Sequence, residues 1–571
     1  MWRLRIVQVS IAIWSAIVLV FLARVQLIGD KELRKLIERQ TSRIIKRPPF
    51  RGGIYDRSGK PLALSIPTID IYQRLPPDSV KDYGGILTKL GIKLKETRPG
   101  QWKLLARNAP IEYRPLVLSR KVIGLSAIKT YQRAYPFGNM VENVVGFVSR
   151  NRDGGLRGLE GLEKTLEDFI GGRSGYEKFF QSAIGERFYM ASRKEPIPGE
   201  DVKTTIDIVI QKIAYEAIRR KVLDEGAKWG FVIVTRPATG EVLAISQYRN
   251  PEPNRGYVNY AVQYEYEPGS TVKIFTMAKA LEMGIIDEED SVFVPADGLL
   301  IGNHRIRNVH RVSGYVSWRY ALAHSINTAF AKLGIRIGAD SLYSIFRRVG
   351  FGLKTDIMLN GEPNGKLIKR HRKIEIANWA MGQGLSVNGI QMVMAYGCIA
   401  NGGTLLAPRL ILKIGNRNFD KPVVVRRCFS DTLSARLRNL LTLVVDSGSG
   451  RRARIEGVKV AGKTGTAQKY DPLTHSYSLS RVVTSFVGFF PADSPRYLIY
   501  VVVDEPRKNK YGGTVAAPVF REIATGILKY DSISAELDPL KLEVHENSDS
   551  KRPQGISSEG KTEGISDGKG H

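Results

Sequence analysis

At 571 residues the chain is too long for one ordinary hydrophobic core, so two or more domains are expected. With 86 Lys and Arg against 56 Asp and Glu it carries a formal charge of +30, a balance that raises nucleic acid as a partner. The N-terminus argues against that class. Residues 6–23 carry no charge and are bracketed by Arg3, Arg5 and Arg24. At about 1.5 Å per residue they come close to spanning a hydrocarbon core of about 30 Å.

No small-residue cleavage pattern follows Ala23, so the segment reads as an uncleaved signal anchor. Residues 1–5, with two arginines and no acid, belong in the cytoplasm, and 6–24 in the inner membrane as a single pass. The rest of the chain is then extracytoplasmic. The flank after the span is basic too, from Lys31 to Arg47, so local charge alone does not settle the orientation. An exported bulk makes nucleic acid improbable and a membrane surface or polyanionic envelope the fitting partner.

Residues 29–45 read as a charged, helix-compatible stalk that Pro48-Pro49 ends. Residues 25–200 form a first domain of short strand-like runs and turns. Its distinctive strings run from Arg51 to Gly59, from Arg133 to Gly138, and through Gly158-Leu159-Glu160-Gly161. None pairs a nucleophile with a base, and their charged residues read as structural ion pairs at tight turns.

A second domain, 201–530, opens after Pro198-Gly199. Residues 202–206 read as strand, Asp207 as an N-cap, and 208–223 as amphipathic helix. Runs 230–236 and 240–247 read as a hairpin. Helices are predicted at 270–283, 317–333, 340–349 and 388–400, and strands at 458–468, 484–489 and 497–503. Strands early and late with helices between give an α+β fold whose antiparallel sheet draws central strands from distant sequence. Residues 531–571 hold almost nothing apolar and are expected to be disordered. Cys398 reads as a buried apolar group, and its pairing with Cys428 stays open. The seven histidines lack metal-ligand spacing, so no metal and no cofactor is expected, and His304 and His310 read as polar loop residues.

Three strings carry the chemistry: Ser270-Thr271-Val272-Lys273, Ser325-Ile326-Asn327 and Lys463-Thr464-Gly465. Ser-x-x-Lys also occurs at Ser126, Ser548 and Ser558, and Ser-x-Asn at Ser149 and Ser386, but Lys-Thr-Gly occurs once. Only Ser270 opens a predicted helix, with Lys273 one turn on and Gly284 placed as its C-terminal stop. A serine there lies near free N–H groups at the positive helix end. Lys273 can serve as base only if burial and neighbouring cations lower its pKa. Ser325 can relay a proton, and Asn327 can hold a substrate carbonyl. On the strand, Lys463 supplies positive potential, Thr464 and Thr466 can bind a carboxylate, and Gly465 lets a substrate backbone approach. The N–H groups of Ser270 and Thr466 can form an oxyanion hole. Ser386-Val387-Asn388, beside Gly382-Gln383-Gly384, reads as a loop shaping the cleft wall.

With those strings on the page, the chain resembles the class B, monofunctional penicillin-binding proteins from Arg3 to about Tyr530. Further support comes from Tyr266-Glu267-Pro268-Gly269-Ser270, Gly462 to Gln468, Tyr511-Gly512-Gly513 and Ala516-Ala517-Pro518-Val519-Phe520. The Gly-Leu-Glu-Gly-Leu-Glu-Lys string from Gly158 and the Ala-Ala-Pro-Val-Phe string look more like the septal than the elongation branch. Asn259-Tyr260-Ala261 departs from the family's Asn-Arg-Ala, and Val387-Asn388-Gly389 from its Val-Thr-Pro.

The resemblance implies a penicillin-recognising serine transpeptidase domain of β-lactamase-like fold on a non-catalytic pedestal of the class B dimerisation type, with one transmembrane helix. It implies a peptidoglycan D,D-transpeptidase that cross-links stem peptides through a serine acyl-enzyme in septal wall synthesis and is acylated by β-lactams. It also implies partnership with a polytopic glycan polymerase and other divisome membrane proteins. An elongation- or spore-specific enzyme would share every motif. A β-lactam hydrolase or sensor leaves the pedestal unexplained, and a non-catalytic divisome scaffold leaves the intact motif set unexplained.

Overall fold

The computed structural model describes residues 2–24, 42–82, 85–97, 102–119, 122–151, 154–181, 187–250, 258–369, 371–471 and 476–536. The apolar N-terminal run forms a single helix, Trp2–Ala23, with no residue buried. Its mean hydropathy reaches 2.5, so length and composition suit a membrane crossing.

Most of the expected stalk, residues 29–41, lies outside the described residues. Where description resumes, the expected helix is a strand. Ser42–Arg47 pairs antiparallel with Gly175–Gln181, which pairs in turn with Arg187–Lys194. The β-branched Ile44-Ile45 pair suits a pleated ladder, and a partner strand from distant sequence overrides the local helical pattern.

The first domain centres on the long strand Pro61–Gln73, flanked by Lys103–Pro110 and Leu125–Ala134. Ile69, Ile71, Val117, Leu125 and Ala127 form a small core of their own. Beneath this sheet sits a buried charge cluster. Arg51 Nε donates to Glu163 Oε2 at 2.6 Å, and Arg133 Nε donates to Glu163 Oε1 at 2.7 Å. Asp56 Oδ1 accepts from the N–H groups of Ser58 and Lys60, closing the tight turn. These charges are architectural, as their turn context suggested.

Val202–Thr204 joins the two parts. It runs parallel to Ile54–Tyr55 of the first domain and antiparallel to Ile411–Ile414 of the second. Asp207 then caps the helix Ile208–Glu225, its carboxylate accepting from Val209 and Ile210 N–H.

The second domain is built on a five-stranded antiparallel sheet in the order Glu241–Arg249, Trp229–Arg236, Tyr497–Asp504, Ser476–Phe490, Ala461–Asp471. The early hairpin and the late meander meet where Trp229–Arg236 pairs with Tyr497–Asp504. Alternation divides the sheet cleanly. Phe231, Ile233, Val487, Tyr500 and Val502 face the helical lobe. Val232, Val234, Phe486, Ile499 and Val501 pack instead with residues of Ile208–Glu225 and the last helix, Gly512–Glu536.

Two predicted elements are corrected. The expected helix 317–333 is two helices, Trp318–Ala323 and Asn327–Ile337, because Ser325 takes the left-handed conformation at φ 59° and breaks the ladder. Disorder does not begin at Asp531: the last helix runs to Glu536, and Tyr497 Oη donates to Asp531 Oδ1 at 2.9 Å. The remainder of that tail lies outside the described residues. Sequence reading missed this helix and Asp431–Asp446, which Ser430 caps.

Candidate active site

Glu267-Pro268-Gly269-Ser270 makes a turn that only glycine tolerates at one point, since Gly269 has φ 56°. Gly269 N–H donates to Gly382 O at 3.0 Å, and a Cβ on Gly382 would fall 2.0 Å from Gly269 O. Gly384 N–H donates to Glu267 Oε1 at 2.9 Å. The glycine-rich loop at 382–384 therefore braces the turn itself. Ser270 is half-buried in a tight 3-10 turn, Gly269–Val272, that leads into the helix Lys273–Glu282. Gly284, at φ 65°, ends that helix as its sequence position suggested.

Lys273 is fully buried. Its Nζ donates to Ser325 O at 2.9 Å and Asn327 Oδ1 at 2.7 Å, and lies 3.1 Å from Ser325 Oγ. No carboxylate pairs with it among the described residues. Burial, with the nearby Lys463 charge second, holds its pKa well below that of an ordinary lysine. The amine is aimed at the Ser-x-Asn string rather than hydrogen-bonded to Ser270. Ser325's left-handed backbone presents both its carbonyl and its hydroxyl to Lys273, and such a conformation costs a serine about 1–3 kcal/mol. Asn327 completes the link, its Nδ2 donating to Arg307 O at 3.0 Å.

Lys463 lies on the edge strand Ala461–Asp471, whose outer side no other strand covers among the described residues. It too is fully buried, and desolvation lowers its pKa to about 7. Its Nζ donates to Thr464 O at 3.2 Å. Packing alone already requires Gly465: a Cβ there would meet Ser485 Oγ at 2.3 Å and Thr271 Cγ2 at 2.9 Å. The strand is thus pressed against the nucleophile turn. A Cβ on Gly269 would sit 3.0 Å from Thr466 O, so the Thr466 backbone borders the same turn. The two threonine hydroxyls are engaged, Thr464 Oγ1 with Ser449 Oγ at 2.8 Å and Thr466 Oγ1 accepting from Gly512 N–H at 3.1 Å.

All three strings therefore converge on one cleft, and the competing copies do not. Ser126 lies within a strand opposite Tyr72. Ser548 and Ser558 are outside the described residues. Ser149 sits in the short hairpin strand Val148–Arg150, and Asn388 caps the helix Gly389–Ala400. In place of the family's arginine, Tyr260 stacks on Trp229 with centroids 4.4 Å apart. Cys398 and Cys428 are free, buried thiols with sulfurs 3.6 Å apart. No cluster of metal-ligating side chains occurs among the described residues.

Three supporting residues escaped sequence reading. Ser449 holds Thr464, and Tyr396 Oη donates to Thr271 O at 2.6 Å behind the nucleophile turn. Glu267 also accepts from Tyr477 Oη at 3.0 Å, tying the hairpin tip to that turn, and burial raises its pKa. Only Glu267, adjacent to the recognised turn, had a sequence signal.

Residues 230–525 match the model of the penicillin binding protein transpeptidase domain, and residues 46–204 that of the penicillin-binding protein dimerisation domain. The chain is 32% identical over 540 residues to stage V sporulation protein D of Bacillus subtilis, covering 88% of this chain and 81% of the relative. It is 28% identical over 564 residues to peptidoglycan D,D-transpeptidase FtsI of Escherichia coli K12, covering 94% and 93%. Among solved structures, penicillin binding protein 3 of Mycobacterium tuberculosis with aztreonam superposes at TM-score 0.67 with 25% identity, over 86% of this chain and 97% of that one. Penicillin binding protein 2X of Streptococcus thermophilus shares the fold at TM-score 0.76 and 23% identity, over 87% and 81%.

Proposed function

The chain belongs to the class B penicillin-binding proteins, and from that membership we propose a residue-level account of its chemistry. It is a peptidoglycan D,D-transpeptidase. Ser270 Oγ attacks the carbonyl between the last two D-alanines of a donor stem peptide and gives up its proton to neutral Lys273. The Ser270 and Thr466 N–H groups hold the oxyanion. Ser325 passes the proton to the departing D-alanine amine, the C–N bond breaks, and an ester to Ser270 remains. An amine of a second stem peptide then takes the acyl group, restoring the serine hydroxyl and forming the cross-link.

Lys463 receives the donor's terminal carboxylate, with Thr464 and Thr466 exchanging their internal partners for it. The donor backbone adds alongside the open edge strand, with Asn327 holding its carbonyl. A β-lactam follows the same path and stays as an ester because its amine cannot leave.

One observation carries this reading: a fully buried lysine with no carboxylate partner among the described residues, bonded to Ser325 and Asn327, one turn from Ser270. Mass spectrometry of tryptic peptides after penicillin labelling tests it. The adduct is expected on Ser270 and absent in Ser270→Ala; an adduct on any other serine overturns the assignment.

The N-terminal helix is a membrane anchor. With Arg3 and Arg5 in its first turns, ahead of the uncharged run 6–23, its N-terminal side lies in the cytoplasm and both domains outside. The septal-type strings and the likeness to FtsI support a role in septal wall synthesis beside a polytopic glycan polymerase and other divisome proteins. The likeness to a stage V sporulation protein supports a second reading, a spore-specific cross-linker. Depletion separates them: filaments without septa support the first, and normal growth with defective spores the second.

A further inference from the structure

Two acid-free stretches of the chain meet at the mouth of the cleft. No Asp or Glu occurs between Asp297 and Asp340, and none between Asp446 and Glu456. The first stretch contains His304, Arg305, Arg307, His310, Arg311 and His324; the second contains Arg451, Arg452 and Arg454. They are more than a hundred residues apart in sequence, yet His324 feels the charges of both His310 and Arg451. The meeting point is fixed by the catalytic strings. His324 precedes Ser325, Arg307 O accepts from Asn327 Nδ2, and Ser449 N–H donates to Ala323 O at 3.0 Å.

The side chains of Arg307, His310, Arg311, Arg451 and Arg452 are exposed, and none has a carboxylate partner among the described residues. Other arginines, among them Arg319, Arg348, Arg372, Arg427 and Arg436, do pair with an acid. Unpaired cations gathered on one rim repel one another unless an anion joins them. Lys463, inside the cleft, already serves the donor's terminal carboxylate, so the rim is left for a different one.

We propose that this basic rim, centred on Arg307 and Arg451, is a subsite for the free carboxylates that a stem peptide carries upstream of its terminal D-alanyl-D-alanine. This deepens the transpeptidase reading and rests on it. The rim then makes the enzyme prefer donors whose upstream carboxylates are free over donors in which they are amidated. Exposed charge pairs are individually weak, so two cations acting together give a preference of about 3- to 10-fold.

The test compares two synthetic donor pentapeptides, identical except that the carboxylates upstream of the terminal dipeptide are free in one and amidated in the other. D-Alanine release is measured with the full-length protein in detergent, for wild type and for the double variant Arg307→Gln, Arg451→Gln. Wild type is expected to favour the free-carboxylate donor in kcat/KM by about 3- to 10-fold, mainly through KM, and less so as salt rises. The double variant is expected to lose that preference while benzylpenicillin, which lacks the upstream groups, acylates it at the wild-type rate. Equal use of both donors by wild type overturns the inference alone, as does a preference that survives in the variant. Slowed acylation of the variant by benzylpenicillin also overturns it, since the arginines would then be shaping the cleft. Release of D-alanine from neither donor would overturn the transpeptidase reading and the inference together.

Discussion

The buried cations among the described residues fall into two sets, and these are built on opposite plans. In the first domain Arg51 and Arg133 share Glu163, all nearly inaccessible and each cation directly bonded to the carboxylate. In the second, Lys273 and Lys463 are equally inaccessible, yet neither meets an acid among the described residues. A paired buried charge keeps its charge and fixes geometry. An unpaired buried lysine sheds its proton more easily, which makes it available for chemistry. The difference points to a site even before a nucleophile is named: here the buried cations with carboxylate partners hold architecture, and the two without lie beside Ser270, Ser325 and Thr464.

Removing each set should separate rate from stability. Lys273→Ala is expected to slow penicillin acylation by about 10³-fold, the scale of a lost general base, without lowering the unfolding midpoint. Stopped-flow acylation and a thermal scan check the two halves. Glu163→Ala is expected to do the reverse. Leaving Arg133 buried without a carboxylate, and Arg51 with only Glu167, should cost about 3–5 kcal/mol of stability, read by chemical unfolding. The protein that remains folded should acylate at the wild-type rate. Were Glu163→Ala to slow acylation in folded protein, the contrast between the two clusters would fail.

A smaller effect tests how the cleft is held together. In Gly465→Ala the new methyl meets Ser485 Oγ and Thr271, so the edge strand and the nucleophile turn must separate. A displacement near 1 Å in an active site can cost about 10²-fold in rate, and acylation should fall on that scale with little loss of stability. An unchanged rate would show that the strand does not position the turn.

The two lysines can also be told apart by pH. In the proposed mechanism Lys463 acts as a cation, present below its pKa of about 7, so the second-order acylation rate should fall as pH rises through about 7. In the same mechanism Lys273 acts as a neutral base, so it contributes the rising limb. Lys463→Ala should remove the falling limb and weaken apparent affinity. It should also move the rising limb to higher pH, because a neighbouring cation that lowers the Lys273 pKa is gone. A falling limb that persists in this variant would assign it to another group.

Much of this was legible because it is local. Ser270 and Lys273 lie one helical turn apart, and Lys463 to Thr466 lie on one strand, so spacing set their relative places once context had chosen among the copies. The hydrophobic runs at 230–236 and 497–503 likewise announced strands. What could not be read is what depends on distant chain. The left-handed turn at Ser325 has no glycine or asparagine to signal it, and it broke a helix that looked continuous. The packing need for Gly465 is another case, since Ser485 and Thr271, which a side chain there would meet, are brought in from elsewhere. The approach of His310 and Arg451 to His324, from stretches far apart in the chain, is of the same kind.

The smallest expected effect concerns a third region with no buried charge at all. In the Trp2–Ala23 helix, Gln8 and Ser15 are seven residues apart and share a face, while Ser10 falls on another. Two polar groups on one side of an otherwise apolar span can bond across to a neighbouring membrane helix. Such bonds contribute only about 0.6–2 kcal/mol each. Gln8→Leu with Ser15→Leu should therefore leave membrane fractionation and penicillin acylation unchanged, since neither depends on a neighbour. Recruitment to its membrane partner should fall by a few-fold, about 3-fold at the lower energy, when measured by co-purification from membranes. Replacing the whole span with an unrelated one of equal length should reduce it at least as far. Full recruitment by both variants would reduce the helix to a tether and leave partner choice to the two folded domains, whose charges lie outside the bilayer.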